Sequence, residues 1–307
     1  MNIFEGRPSL DHRTWDLPPW GHPLSRIVLP LFIRHADRLL PIGTAFWVGR
    51  KVAWVLTATH CVTEALRRDG RFDRALSGEG LPAQADLKNV GLYVLHPNNG
   101  GSDNTQFTLV PLETLNGGRP LDAIFGYPTF EDGRVTGALP LSFDPPRIGE
   151  TVYSVGYHVL KPREEDGLPF QAVLDNTFDW LSDYQHRFTV TEAKVERIFL
   201  KRFAHGFLEG PCFAFDHDIA HGTSGGPVIT ADSRIVGINS AGARGYFDRP
   251  MSLATMLYPL LLTELQYSAR RGPIDIRGRD PLFDLVARDV IWTDGSEEHV
   301  GFRIHED

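Results

Sequence analysis

The chain has 307 residues, 42% of them hydrophobic and 23% charged, with a formal net charge of −8. This length suits one large domain or two small ones with ample material for a core, and the negative balance argues against a partner recognised through nucleic-acid phosphates. No apolar run approaches the roughly 20 residues of a membrane span, and residues 1–8 carry neither a basic leader nor an apolar signal segment, so a cytoplasmic protein with no membrane partner is expected.

Residues 1–24, with Trp15, Pro18, Pro19, Trp20 and Pro23, read as an irregular arm lying on the body. Residues 27–33 form the first predicted strand. Residues 43–49 and 52–56 make a hairpin about Gly49-Arg50-Lys51. After His60, the spacing of Val62, Ala65 and Leu66 predicts a helix that Gly70 ends. Residues 69–86 read as an inserted loop, and the Arg67, Arg68, Arg71, Arg74 cluster as a solvated face. Strands follow at 90–95 and 107–110, separated by a turn cluster at 98–102.

Residues 121–125 read as a strand that sets Asp122 among apolar neighbours. A half-buried carboxylate there needs a hydrogen-bonded or charged partner. Asp86 and Asp103 are alternative acids; the first has less apolar context and the second lies in a turn. Residues 126–147 hold Pro128, Pro140, Pro145 and Pro146 and read as a connector. Further strands are expected at 148–157, 187–191, 195–200, 212–216 and 234–240, with a loop insertion at 161–186. Leu261, Leu265 and Ser268 predict a helix over 259–271, stopped by Gly272-Pro273. Residues 290–293 and 300–304 flank a polar turn and predict a terminal hairpin. Residues 274–307 hold nine Asp or Glu against four Arg, so the tail is acidic.

Two stretches carry chemistry. In His221-Gly222-Thr223-Ser224-Gly225-Gly226-Pro227 a serine stands among three glycines, which let the backbone turn sharply and bring its N–H groups near a reacting oxygen. Alone it also fits a glycine-rich β-turn. In Thr57-Ala58-Thr59-His60-Cys61 a histidine closes an apolar strand. Alone it also fits a satisfied structural histidine.

Together, in this order, the two stretches resemble the trypsin-like (chymotrypsin-fold) serine peptidases, in particular their disulfide-poor bacterial branch. The resemblance covers roughly residues 25–262. It implies an all-β fold of two six-stranded antiparallel β-barrels, at 25–135 with His60 and Asp122 and at 136–255 with Ser224. The arm at 1–24 and a helix, extra hairpin and acidic extension at 256–307 would flank them. His60 would be the base, Asp122 its orienting acid and Ser224 the nucleophile. The N–H groups of Gly222 and Ser224 would bind the oxyanion. Ser240 would support Asp122, and Gly242 would pair with substrate backbone. Asp218 and His221 complete the expected substrate contacts; in trypsin an aspartate at the spacing of Asp218 selects lysine or arginine.

Thr223 stands where trypsins carry the carboxylate that pairs with a freed N-terminus, so activation by cutting before Ile27 is not expected. Animal trypsins pair the cysteine after the histidine with one near position 42, where this chain has Ile42, so Cys61 is expected to be unpaired; a Cys61–Cys212 bridge stays open. His217 and His221 are four apart, which shares a face only on a helix, so no metal and no cofactor is expected. The resulting reading is a serine endopeptidase of protein or peptide substrates. A catalytically silent protease-fold binding module and an esterase are the alternatives. Residues 161–186 or the C-terminal extension are candidate contacts for a regulatory partner.

Overall fold

A computed structural model of the chain describes residues 7–8, 13–17, 22–35, 38–50, 52–69, 84–86, 91–98, 106–117, 121–128, 137–159, 172–173, 186–204, 208–271 and 274–296. In chain order the strands are β1 (Arg7–Pro8), β2 (Thr14–Leu17), β3 (Val28–His35), β4 (Arg38–Val48), β5 (Trp54–Thr57), β6 (Gln84–Asp86), β7 (Leu92–Asn98), β8 (Gln106–Gly117) and β9 (Ile124–Pro128). Then come β10 (Thr151–Val159), β11 (Ala172–Val173), β12 (His186–Phe199), β13 (Cys212–Phe215), β14 (Pro227–Thr230), β15 (Ile235–Gly242), β16 (Ser252–Met256), β17 (Glu264–Arg271) and β18 (Ile274–Pro281). Among the described residues two α-helices join them, α1 (Thr59–Asp69) and α2 (Leu282–Ala287).

The strands close into two six-stranded antiparallel barrels. The first runs β4-β3-β7-β8-β9-β5 and returns through β5 to β4; the second runs β12-β10-β14-β15-β16-β13 and returns through β13 to β12. Closure gives every strand of each ring a paired neighbour on both sides over part of its length, and alternate residues of each strand fill the interior. β5 is buried along its whole length, although successive side chains of a strand face opposite ways. Its outer face is covered by the β17–β18 hairpin. Trp54 meets the Tyr267 ring edge-on at 6.0 Å and donates from its indole N–H to the Gln266 carbonyl at 3.4 Å. An apolar strand with both faces covered shows no alternation in sequence, as residues 53–56 do not.

Several expected elements are corrected. Residues 259–271 are not a helix. A 3-10 turn at Tyr258–Leu262 leads into β17, whose eight residues pair in full register with β18. The four-residue spacing of Leu261 and Leu265 mimicked a helix face, but Leu265 is buried beside an exposed Glu264, and cross-strand pairing takes the backbone hydrogen bonds. A C-terminal helix and an extra hairpin do follow the second barrel, in the opposite order and at other residues. Of the expected terminal hairpin, residues 290–293 lie outside any strand, Thr293 forming a single bridge with Leu141, and residues 300–304 lie outside the described residues.

The arm is partly regular. β2 adds to β12 from Leu17↔Phe188 to Thr14↔Thr191. Arg13 with Asp216 at 3.0 Å and Arg187 Nε with Asp16 at 2.9 Å hold it there. The two strands expected at 187–191 and 195–200 are one continuous strand, β12. Of the insertion at 161–186, Ala172 and Val173 pair with β4; all but these and His186 lies outside the described residues, as does Asp103.

Candidate active site

β5 delivers the chain to α1, and His60 is the second residue of that helix. Helix N-termini leave N–H groups without intrahelical partners and favour negative charge. Asp122 fills this need from the turn just before β9, rather than from within a strand as expected. Its Oδ1 accepts from the His60 backbone N–H at 2.9 Å, and its Oδ2 lies 2.8 Å from His60 Nδ1. One residue earlier, Thr59 donates its hydroxyl to the Leu121 carbonyl at 3.1 Å. The carboxylate therefore grips the histidine by backbone and ring together. With Nδ1 donating to it, Nε2 of the neutral ring is left as an acceptor, with the Cys61 sulfur 3.7 Å away.

The Asp122 side chain is 13% exposed and that of His60 41%. Burial presses the Asp122 carboxyl toward its neutral form, yet the His60 ring and N–H and the Ser240 hydroxyl hold it below the usual carboxylate range. Burial likewise works against a charged imidazole. The neighbouring Cys61 sulfur and the Asp122 carboxylate outweigh it, and His60 lies well above the ordinary histidine value.

The serine loop joins β13 to β14. Gly222 and Gly225 both have positive φ, 97° and 85°, and a Cβ on Gly225 would fall 2.1 Å from the Thr44 carbonyl oxygen, so only glycine fits. The Asn239 carbonyl accepts from the Gly225 N–H at 2.7 Å, and the Gly226 carbonyl accepts from the Asn239 N–H at 2.8 Å. Thr44 of β4 ties the loop to the first barrel. Its N–H donates to the Ser224 carbonyl at 2.8 Å and its hydroxyl to the Gly222 carbonyl at 2.9 Å, while that hydroxyl accepts from the Tyr157 N–H at 2.9 Å. Neither the Gly222 nor the Ser224 N–H donates to an acceptor among the described residues, which leaves two donors for an anion.

Ser224 is half-buried, and its hydroxyl donates to the Ser240 carbonyl at 3.3 Å; no hydrogen bond joins it to His60 among the described residues. Between the two halves lies Cys61, a free thiol. Its Sγ is 3.7 Å from His60 Nε2, 3.6 Å from the Ser224 carbonyl oxygen, and 2.8 Å from where a Cβ on Gly43 would stand. Cys212, also free, is buried in the second barrel, and burial pushes its thiol up to about 12.

Asp218 lies beside Gly242 but is paired with Arg244, whose Nε donates to Oδ2 at 2.7 Å. His221 is exposed, and its carbonyl accepts from His158 Nδ1 at 2.9 Å. Thr223 is buried and donates its hydroxyl to the Ala220 carbonyl at 2.7 Å. Asp86 lies on β6 opposite Thr114. The structure thus joins His60 and Asp122 directly and sets the Ser240 hydroxyl 2.7 Å from Thr255 Oγ1, where it still helps hold the Asp122 carboxylate charged. It brings Ser224 to the Ser240 carbonyl and the Cys61 sulfur, and keeps Asp86 on a different strand pair.

Sequence reading missed Thr44, Asn239 and Arg244. Asn239 carried a signal, an amide-bearing residue disfavoured in strands set beside Ser240. Its side chain accepts from the Ser154 hydroxyl at 3.0 Å and donates to the Val155 and Thr223 carbonyls. Among the described residues no group of three or more His, Cys, Asp or Glu is placed to hold a metal ion, and no helix is long and apolar enough to cross a membrane.

The family model of the trypsin-like peptidase domain matches residues 43–238, which include His60, Asp122 and Ser224. No curated protein matches the chain by sequence. Among solved structures, the Rv3671c protease from M. tuberculosis in its active form is similar at 12% identity over 78% of this chain and 82% of its own, with a TM-score of 0.45. The MamO protease domain from Magnetospirillum magneticum is similar at 16% identity over 77% of this chain and 94% of its own, also with a TM-score of 0.45.

Proposed function

Because this chain belongs to the trypsin-like peptidase family, we propose that it is a serine endopeptidase acting through an acyl-enzyme. The observation that carries this reading is the double grip of Asp122 on His60, which leaves Nε2 to act as the base, one sulfur atom, that of Cys61, away from the Ser224 carbonyl. The Ser224 hydroxyl exchanges its bond to the Ser240 carbonyl for one to Nε2 by turning about its side-chain torsion. Oγ then bonds to the scissile carbonyl carbon while its proton passes to Nε2. The carbonyl oxygen, now anionic, takes the N–H groups of Gly222 and Ser224. Nε2–H protonates the leaving amine, the C–N bond breaks, and a water repeats the sequence to release the acid.

The substrate is a protein or peptide in extended form. Ser240 keeps Asp122 in place, and no metal or cofactor enters. Two free, buried thiols support a reducing compartment such as the cytoplasm. Residues 161–186 and the acidic C-terminal extension are the proposed contacts of a regulatory partner. Because Thr223 offers no carboxylate to a freed N-terminus and Ile27 is held internally, with its N–H on the Leu24 carbonyl at 3.0 Å, the uncut chain is the active form.

The serine-to-carbonyl bond seen here is the observation that favours the silent-module reading. A fluorophosphonate probe separates the two. Labelling of wild type that disappears in Ser224→Ala supports the peptidase; a folded wild type that never takes the label supports the binding module.

A further inference from the structure

β14 stops pairing with β15 opposite Ile238, and the last bonds on that side join Asn239 to Gly225 and Gly226. Beyond them β15 continues through Ser240 to Gly242 with β16 alongside, Gly242 facing Ser252. The Ser224 hydroxyl rests at the start of this stretch, on the Ser240 carbonyl. Asp218 lies at its end, with Oδ1 3.2 Å from where a Cβ on Gly242 would be. The other oxygen, Oδ2, accepts from both Nε and Nη2 of Arg244. An extended peptide adding to this backbone edge, with its reacting carbonyl at Ser224, carries its acyl-side residues past the Asp218–Arg244 pair.

Exposure decides which charge that peptide meets. The Arg244 side chain is 82% exposed and that of Asp218 only 19%. The guanidinium is the outer layer, and its Nη1 donates to nothing among the described residues. A bare carboxylate at this place would draw lysine or arginine. With Arg244 in front of it, a basic side chain has to displace one cation with another. A guanidinium with an open edge instead matches a carboxylate.

Resting on the peptidase reading above, we propose that Arg244 is a specificity-determining residue that turns this cleft away from basic and toward acidic side chains on the acyl side of the scissile bond. Asp218 serves to hold it in position.

The test uses matched peptides carrying Lys, Gln or Glu at each of the three positions before the scissile bond, with circular dichroism confirming that each variant folds. Arg244→Ala raises the Lys-over-Glu ratio in kcat/KM by roughly fivefold to tenfold, the scale of an exposed ion pair with its repulsion removed. Arg244→Glu raises it further, and Arg244→Ala with Asp218→Ala loses the gain. A ratio that stays within about twofold across wild type, Arg244→Ala and Arg244→Glu overturns the assignment. So does a wild-type preference for Lys that Asp218→Ala removes and Arg244→Ala leaves intact. Fluorophosphonate labelling of the same samples tells the two failures apart. Labelled enzyme with an unmoved ratio sinks only the role of Arg244, whereas an unlabelled folded wild type sinks the peptidase reading and this inference with it.

Discussion

The two barrels prepare their halves of the site by different means. The first holds an acid and a base that are already joined, the carboxylate of Asp122 bonded to ring and backbone of His60. The second holds an alcohol whose hydroxyl points to its own barrel, at the Ser240 carbonyl. Charge and burial fix the first half. Backbone geometry fixes the second: two glycines with positive φ, Asn239, and the Thr44 tether from the first barrel. On the proposed mechanism the acid–base pair is preorganised before substrate arrives, while the nucleophile completes its geometry by a side-chain turn.

If the second half carries the reacting atom, its loss has the largest effect. Ser224→Ala lowers kcat by about 10⁶ in peptide hydrolysis, the scale of losing a catalytic serine, without changing the denaturant midpoint appreciably. A residual rate within a hundredfold of wild type breaks the comparison at its centre. In the first half, Asp122→Asn keeps the shape of the grip but favours the wrong ring tautomer. It lowers kcat on the order of 10⁴. A comparable loss in Asp86→Asn with Asp122→Asn unaffected assigns the acid elsewhere.

Thr44 is where the halves meet, and Thr44→Val tests whether the serine loop depends on the first barrel. The substitution keeps side-chain shape but removes the hydroxyl that donates to Gly222 and accepts from Tyr157. Buried groups left without partners cost about 1–3 kcal/mol each, read as a fall in unfolding free energy. The loop loosens with it, and kcat falls about tenfold to a hundredfold, the scale of a small misplacement in a reactive site. Activity and oxyanion-analogue affinity both unchanged in a destabilised variant would make Thr44 a packing residue only.

How much of this was legible depended on how far apart the partners lie. His60 and Ser224 were readable because their surroundings are local: an apolar strand before one, glycines around the other. Asp122 was readable from the apolar residues beside it, though its place before β9 rather than within a strand was not. Thr44 was invisible because it bonds residues 178 and 113 positions away; a buried threonine in an apolar strand says nothing about such partners. Arg244 carried no local signal, because its partner Asp218 lies 26 positions earlier. The misread helix at 259–271 has the same origin. Two leucines four apart form a local pattern, and pairing with 274–281 is not local.

Cys61 gives the smallest effect and the finest test of the first half. Its sulfur lies 3.7 Å from Nε2, the atom that takes the serine proton in the proposed mechanism, and it is one of the groups that keep His60 well above the ordinary histidine value. A base works only in its neutral form, so kcat/KM rises as pH climbs through the His60 pKa. Cys61→Ala removes a contribution that raises this pKa, and the acid limb of the profile therefore moves to lower pH. The linked effect on folding has the opposite dependence. A histidine whose pKa is raised on folding stabilises the protein fully below its unfolded value of 6.5, and that contribution fades as pH rises through the folded pKa. The space left by the missing sulfur costs the same at every pH. The Tm difference between wild type and Cys61→Ala is accordingly larger at pH 6 than at pH 9. A limb that does not move, with a Tm difference independent of pH, would assign the sulfur to packing against Gly43 and leave Asp122 alone in charge of the histidine.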